Sequence, residues 1–428
     1  MKKNNSPTLI KSYKPLIISG VMFLICSSAW PQVGQRFPSE KVTVKDKVTG
    51  AEITVLTTSP ADDQKIYQTH PQWTFDQKYI IFTSDRGEAN QRSKVFAVEP
   101  ETGIIIQLTD GKTSAGGLTI ARKSNKLYYS GNGKLIEMDL ASLFQDSKQG
   151  NAKSQASYER AIATLQFGGL TLDADEKVAY VGVSIRDSMP GKPASLSGIR
   201  AINLENGTIS KVIDVPFRMG HIQANPFKSG EILFCWESGG DTPQRMWLVN
   251  ADGSGYRPLY KERPDEWVSH EAWVDANTVY FNCKPSNFYT KWLPKVEDFR
   301  ERGEGMFSEG AFTMPTGIFS INIRNNTVKV LSSSLDGHGY WHCNGTVDGK
   351  WAAGDSFDGN VYLINVQNGK KSILTSGNSL VFKGGPEVAL FHAHPTFRSD
   401  GKQVLYQSGM YSQGENYDLM LVNVPANN

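Results

Sequence analysis

The chain is poor in cysteine and histidine and carries no surplus of either charge. Of four cysteines in 428 residues, Cys26 lies in an apolar stretch near the N terminus, leaving Cys235, Cys283 and Cys343. An odd set without close spacing excludes a disulfide framework, and buried, unpaired thiols are the expected state. Coiled-coil heptads are absent, and "PLIISGVMFLIC" is the one long apolar run, so the sequence reads neither as a fibrous nor as a multi-pass membrane protein. That run follows Lys2, Lys3, Lys11 and Lys14 and precedes the small residues "SSA", the pattern of a signal peptide over residues 1–29 cleaved near Ala29. Ile25 stands where a lipoprotein signal needs a small residue, which argues against lipid attachment at Cys26. The remainder has 41 basic and 43 acidic side chains, a net charge of −2. Such a balance offers no basic field for nucleic acid and nothing to hold the processed chain at a membrane. A periplasmic or extracellular location is expected.

Glycine, by contrast, is plentiful, with 40 residues, many in Asp-Gly and Asn-Gly pairs that favour short strands joined by tight turns. One unit recurs seven times. It begins with "HPQWTFDQKYIIFTSDRG", "GGLTIARKSNKLYYSG", "GGLTLDADEKVAYVGVS", "GHIQANPFKSGEILFCWE", "SHEAWVDANTVYFNC", "HCNGTVDGKWAAGDS" and "HAHPTFRSDGKQVLYQS". Most copies start about 50 residues apart, the size of a four-stranded propeller blade. The last copy lacks a fourth strand, whereas "EITVLTT" ahead of the first copy is a spare one. The expectation is an all-β fold, a single seven-bladed β-propeller over residues 42–428 preceded by a linker at 30–41, with the N-terminal strand joining the last blade to close the ring.

The seven histidines are 70, 221, 270, 338, 342, 392 and 394. All but His338, which is just upstream of another copy, fall at or just before the start of a first strand. In a propeller that strand lines the central channel, so a shared site at the channel mouth is expected. His392 and His394 have the spacing that places two side chains on one side of a strand, a metal-ligand arrangement. Long loops between second and third strands, rich in Tyr, Trp, Lys and Arg, fall on the same face and suit an anionic carbohydrate. The longest spans about residues 284 to 316. His221 is assigned to substrate binding or channel structure, and Trp341 is a candidate for stacking on a sugar.

The stretches "TGAEITVLT", "QRMWLVNADGSGYRPL", "SHEAWV", "HCNGTVDGKWAAGDS" and "HAHPTFRSDGKQVLYQS", in this order, resemble the oligogalacturonate lyases of polysaccharide lyase family 22. The resemblance implies a propeller that cleaves a uronate-containing poly- or oligosaccharide by metal-assisted β-elimination, leaving a 4,5-unsaturated uronate. It implies His270 as the base, Arg245 as the group that binds the substrate carboxylate, and His342, His392 and His394 as ligands of a divalent metal, manganese, with zinc or calcium as alternatives. The glutamine ligand of that family is replaced by Ala389, so water, Glu387 or substrate must complete the coordination. "KIYQTHPQW" is similar to the first blade of propeller ulvan lyases, which makes His70 a second candidate acid/base as well as a substrate-binding residue. A non-catalytic carbohydrate-binding propeller is the competing class. The chemistry asks for these residue types in any case: a base facing C5, and positive charge against the carboxylate to stabilise the enolate.

Overall fold

The computed structural model describes residues 33–87, 94–112, 115–185, 196–237, 242–263, 266–285, 316–334, 339–356, 358–378 and 392–426. The segment 1–29, His338, Glu387, Ala389 and all but the ends of the 284–316 insertion lie outside the described residues. Seven antiparallel sheets of four or five strands follow one another along the chain. They form the seven blades of a β-propeller.

The middle strands of the blades are buried on both faces, as Lys94–Val98 and Val361–Asn365 are throughout, and the apolar faces of neighbouring sheets make the core. Ile80, Phe82 and Phe96 of the first blade, for example, pack against Leu56, Leu405, Leu419 and Leu421 of the last. Ring closure uses more of the N terminus than one strand. Glu52–Val55 pairs with Asp418–Asn423, in register Ile53 to Val422, and Val42–Lys45 pairs outside it. Arg36–Phe37, within the expected linker, pairs with Ile105 and Ile106 at the outer edge of the first blade. The N-terminal segment therefore covers the edges of both blades that meet at the seam, where open strands would otherwise invite pairing with another chain.

Two local features depart from the expected repeat. The first blade's innermost strand is Asp63–Lys65, upstream of His70, and the chain leaves the sheet after it, returning at the Trp73–Ile80 bridge. The intervening loop is tied down by its own polar groups. Lys65 Nζ donates to Ile66 O at 2.9 Å, His70 N to Tyr67 O at 2.9 Å, and Gln72 Nε2 to His70 O at 2.8 Å. In the second blade, Leu140–Gln149 forms the one α-helix among the described residues. Asp139 caps it by accepting from Ser142 N, Gly150 ends it at φ 72°, and Leu140, Leu143 and Phe144 bury its apolar side.

Candidate active site

One backbone hydrogen bond recurs across the turn between the first and second strands of every blade. It is Thr74 N to Tyr79 O, Ala121 N to Lys126 O, Asp173 N to Val178 O, Asn225 N to Glu231 O, Val274 N to Thr278 O, Thr346 N to Trp351 O and Arg398 N to Gln403 O. Four residues before each donor stand His70, Gly117, Gly169, His221, His270, His342 and His394. Five of seven equivalent positions are thus histidine. The pairing slips here in the inner strands of blades two to six, between Gly116 and Thr119, Gly168 and Leu170, Gly220 and Gln223, Ser269 and Ala272, and Tyr340 and Cys343. A bulge re-aims the side chain it contains.

Gly117 and Gly169 take φ of 57° and 66° at this position, which glycine tolerates; His221, His270 and His394 take 46°, 50° and 50°. A left-handed backbone at a non-glycine residue costs about 1–2 kcal/mol. Three such histidines at one level of a ring mark a place where packing outweighs local preference.

The imidazoles come into mutual contact, those of His221, His270 and His342 from bulges. Ring centroids are 4.0 Å apart for His342 and His394, 5.0 Å for His342 and His392, 4.2 Å for His270 and His342, and 5.8 Å for His221 and His270. His392 and His394 do not lie on a strand, because the last inner strand begins only at Thr396. Their rings are nonetheless nearly parallel, 5.9 Å apart at 7°. Trp341 stacks on His392 at 5.2 Å and packs against His270 at 4.8 Å, so it walls the histidine group. His70 stands apart. Its Nδ1 lies 3.3 Å from Thr119 Oγ1, and its ring contacts no other histidine among the described residues.

Asp355 organises the cation side. It accepts from His342 N at 2.6 Å and His394 N at 3.1 Å, and its Oδ2 is 3.0 Å from His342 Nδ1. Holding Nδ1 in this way leaves Nε2 of His342 as the nitrogen for a metal. His342, Asp355 and His392 each offer a ligand atom, all within 4.8 Å of one another, and His392 Nδ1 is buried without a hydrogen-bond partner. Imidazole with carboxylate oxygen suits a divalent first-row ion.

On the other side Arg245, 4% exposed, gives Nε to Glu271 Oε2 at 3.1 Å and Nη1 to Glu237 Oε2 at 3.4 Å, while Nη2 faces His221 Nδ1 at 3.4 Å. Its amide also donates to Glu262. The guanidinium expected to clamp substrate is thus already engaged by protein carboxylates. Burial opposes the charge on Glu271, but Arg245 and His221 hold its pKa down to about 2. A cation between His221, Cys235 and Glu271, which also converge, would face this guanidinium at close range.

Lys284, Asp355, Glu271 and Tyr67 escaped the sequence reading. The available signal was a charged residue at the end or in the middle of an otherwise apolar strand, as in "VYFNCK", "WAAGD" and "SHEAW". Lys284 Nζ donates to Ser269 Oγ at 2.8 Å and sits 4.1 Å and 4.7 Å from the rings of Trp341 and Trp267. Burial pushes its pKa down to about 7.

Burial also depresses the histidines: His70 to about 3, His392 to about 4, and His270, His342 and His394 well below their ordinary 6.5. The fold therefore holds neutral imidazoles, while the unfolded chain takes up protons as pH falls through about 6.5. Stability is complete above that value and is lost as pH falls toward the folded-state pKa values, by up to about 1.4 kcal/mol per pH unit for each histidine. The urea midpoint should drop steeply between about pH 7 and about pH 5. Bound metal acts in the same direction, since its ligands must be deprotonated. A midpoint unchanged over this interval contradicts the neutral cluster.

The family model described as oligogalacturonate lyase matches residues 32–290. The oligogalacturonate lyase of Dickeya dadantii (strain 3937) is 24% identical over 392 residues, covering 86% of this chain and 92% of its own. An oligogalacturonide lyase of Pectobacterium atrosepticum is 21% identical over 412 residues, covering 88% and 94%. Two solved structures share the fold at 20% identity, each covering 92% of this chain and 99% of its own: an oligogalacturonate lyase in complex with manganese, TM-score 0.72, and an oligogalacturonate lyase from Vibrio parahaemolyticus, TM-score 0.73. With its model matched over more than half of the residues, on a seven-bladed frame, the chain belongs to the oligogalacturonate lyase family.

Proposed function

We propose that the protein cleaves a uronate-containing oligosaccharide of the pectin type by β-elimination, with a divalent cation held by His342 and His392 beside His394 and Asp355. One observation carries this reading: the half-buried His270 lies between the cation-binding group and the Arg245–Glu271–His221 network, with its Nδ1 buried and unpartnered. The cation, when bound, draws charge from the uronate carboxylate and so acidifies C5. His270 is neutral, and an unpartnered ring nitrogen is what a general base needs to accept the C5 proton. Arg245 and Lys284 add positive potential beside the developing enolate, Arg245 while anchored on Glu271 and Glu237. The manganese complex of a structural neighbour agrees with the donor set, and manganese is the proposed ion, with zinc or calcium as alternatives.

His270 is preferred to His70, because His70 is tied to Thr119 outside the cluster. We further propose that the chain is exported after removal of residues 1–29; the N-terminal sequence of the secreted protein tests this.

The deciding measurement is absorbance near 235 nm, where the 4,5-unsaturated uronate absorbs, during incubation with oligogalacturonate, polygalacturonate, ulvan and other uronate polymers. Oligogalacturonate should give the fastest rise, chelation should stop it and manganese should restore it. A flat trace on every substrate in the presence of manganese would leave a carbohydrate-binding propeller as the better reading.

A further inference from the structure

Elimination also needs a proton for the departing sugar oxygen, and most polar groups of the site are already engaged. His221 Nδ1 faces Glu271 Oε1 at 3.2 Å, His342 Nδ1 faces Asp355, Arg245 is divided between Glu271 and Glu237, and Lys284 donates to Ser269. Tyr67 is different. Its half-buried ring stands edge-on to His221 at 5.2 Å, His394 at 5.1 Å and His342 at 5.8 Å, side chains of three other blades. Its hydroxyl is buried beside the Gln68 side chain and makes no hydrogen bond of good geometry.

The position is built rather than incidental. Tyr67 lies in the loop that interrupts the first blade's inner strand, and its carbonyl is fixed by His70 N at 2.9 Å and Gln72 Nε2 at 3.1 Å. Asn344 Nδ2 of the sixth blade donates to the next carbonyl, Gln68 O, at 3.3 Å. A buried hydroxyl left unsatisfied costs about 1–3 kcal/mol, so a fold that keeps one has a reason for it.

We propose that Tyr67 is the general acid of the elimination, an inference that rests on the uronate lyase reading above. As His270 takes the C5 proton, the C5–H electron pair becomes the second bond of C4=C5. The C4–O4 bond breaks with its electrons on O4, and the Tyr67 O–H gives its proton to that oxygen. The departing sugar leaves with a free hydroxyl; solvent returns a proton to Tyr67 and accepts one from His270, so the cycle closes without a co-reactant. The ligand oxygen that Tyr67 serves enters between His221, His342 and His394.

The test compares two substrates with wild type and Tyr67→Phe, which removes only the oxygen. One is a glycosidic uronate, whose leaving group needs a proton; the other is a uronide with a nitrophenoxy group at C4, whose leaving group does not. Tyr67→Phe should lower kcat on the first by about 10²- to 10⁴-fold and on the second by less than about tenfold, with manganese content unchanged. Equal losses on both substrates, or full activity on both, overturn the assignment. A wild-type chain that yields unsaturated product from neither overturns the lyase reading and the acid with it. Should Tyr67→Phe fail to fold, a series of C4-aryl leaving groups with wild type serves instead. A rate nearly independent of leaving-group acidity supports Tyr67, and a steep dependence rejects it.

Discussion

His270→Ala should lower kcat on oligogalacturonate by about two to four orders of magnitude, the range for a positioned general base, with KM changed by less than about threefold. The ring is placed by a left-handed residue at φ 50° inside a bulge and is confined by Trp341 at 4.8 Å and His342 at 4.2 Å. It is therefore pre-positioned rather than recruited, and its loss removes a transition-state interaction more than a binding one. Because burial, with His342 and Arg245, holds its pKa well below 6.5, the base stays unprotonated at neutral pH. The wild-type rate should be flat in that range on account of this group and should fall only on acidification. His270→Ala should take up the proposed cation as wild type does, the control required because the ring adjoins His342. Near-normal turnover in this variant together with an inactive His70→Ala would move the chemistry to the first blade.

Arg245→Met should destabilise the fold by about 3–5 kcal/mol, the usual result of leaving one member of a buried ion pair alone. Glu271 is fully buried and depends on Arg245 and His221 for its charge, and Glu237 shares the same guanidinium. Without the arginine, burial raises the Glu271 pKa above its unfolded value. The variant is then least destabilised at low pH, and the deficit grows as pH rises through that new pKa. Arg245→Met/Glu271→Leu should recover much of the loss, because an apolar pair of similar volume removes the orphaned charge. Urea unfolding of these two variants and of Glu271→Leu alone gives the coupling. A loss below about 1 kcal/mol for Arg245→Met would mean that water reaches Glu271, and with it that Arg245 is open to a substrate carboxylate as the family resemblance implied.

His221, His270, His342 and His394 were legible as a group because repetition aligns them: a residue that recurs at one point of a repeated strand must recur at one level of the ring. His70 occupies the repeated position too, but it sits in a broken strand and turns to Thr119. Arg245, placed on this face by the family motif, is engaged by Glu271 of the next blade, a contact that no local pattern announces. Tyr67 carries no signal of its own, and Asp355 only that of a charge ending an apolar strand. Tyr67 reaches the centre through a loop whose path is set by Lys65, His70 and Gln72, and Asp355 matters only because two backbone amides of different blades meet it.

By itself the sequence determined the number of blades, the period of their strands, the completion of the last blade by an N-terminal strand and the face on which histidines gather. All of these follow from local patterning, turn chemistry and the need to bury an edge. The tertiary structure decided which side chains touch. That depends on the bulges, which need a slipped register between paired strands, and on closing the ring, which brings Tyr67 of the first blade against His394 of the last. Contacts of this kind are made across several hundred residues of chain and have no local code.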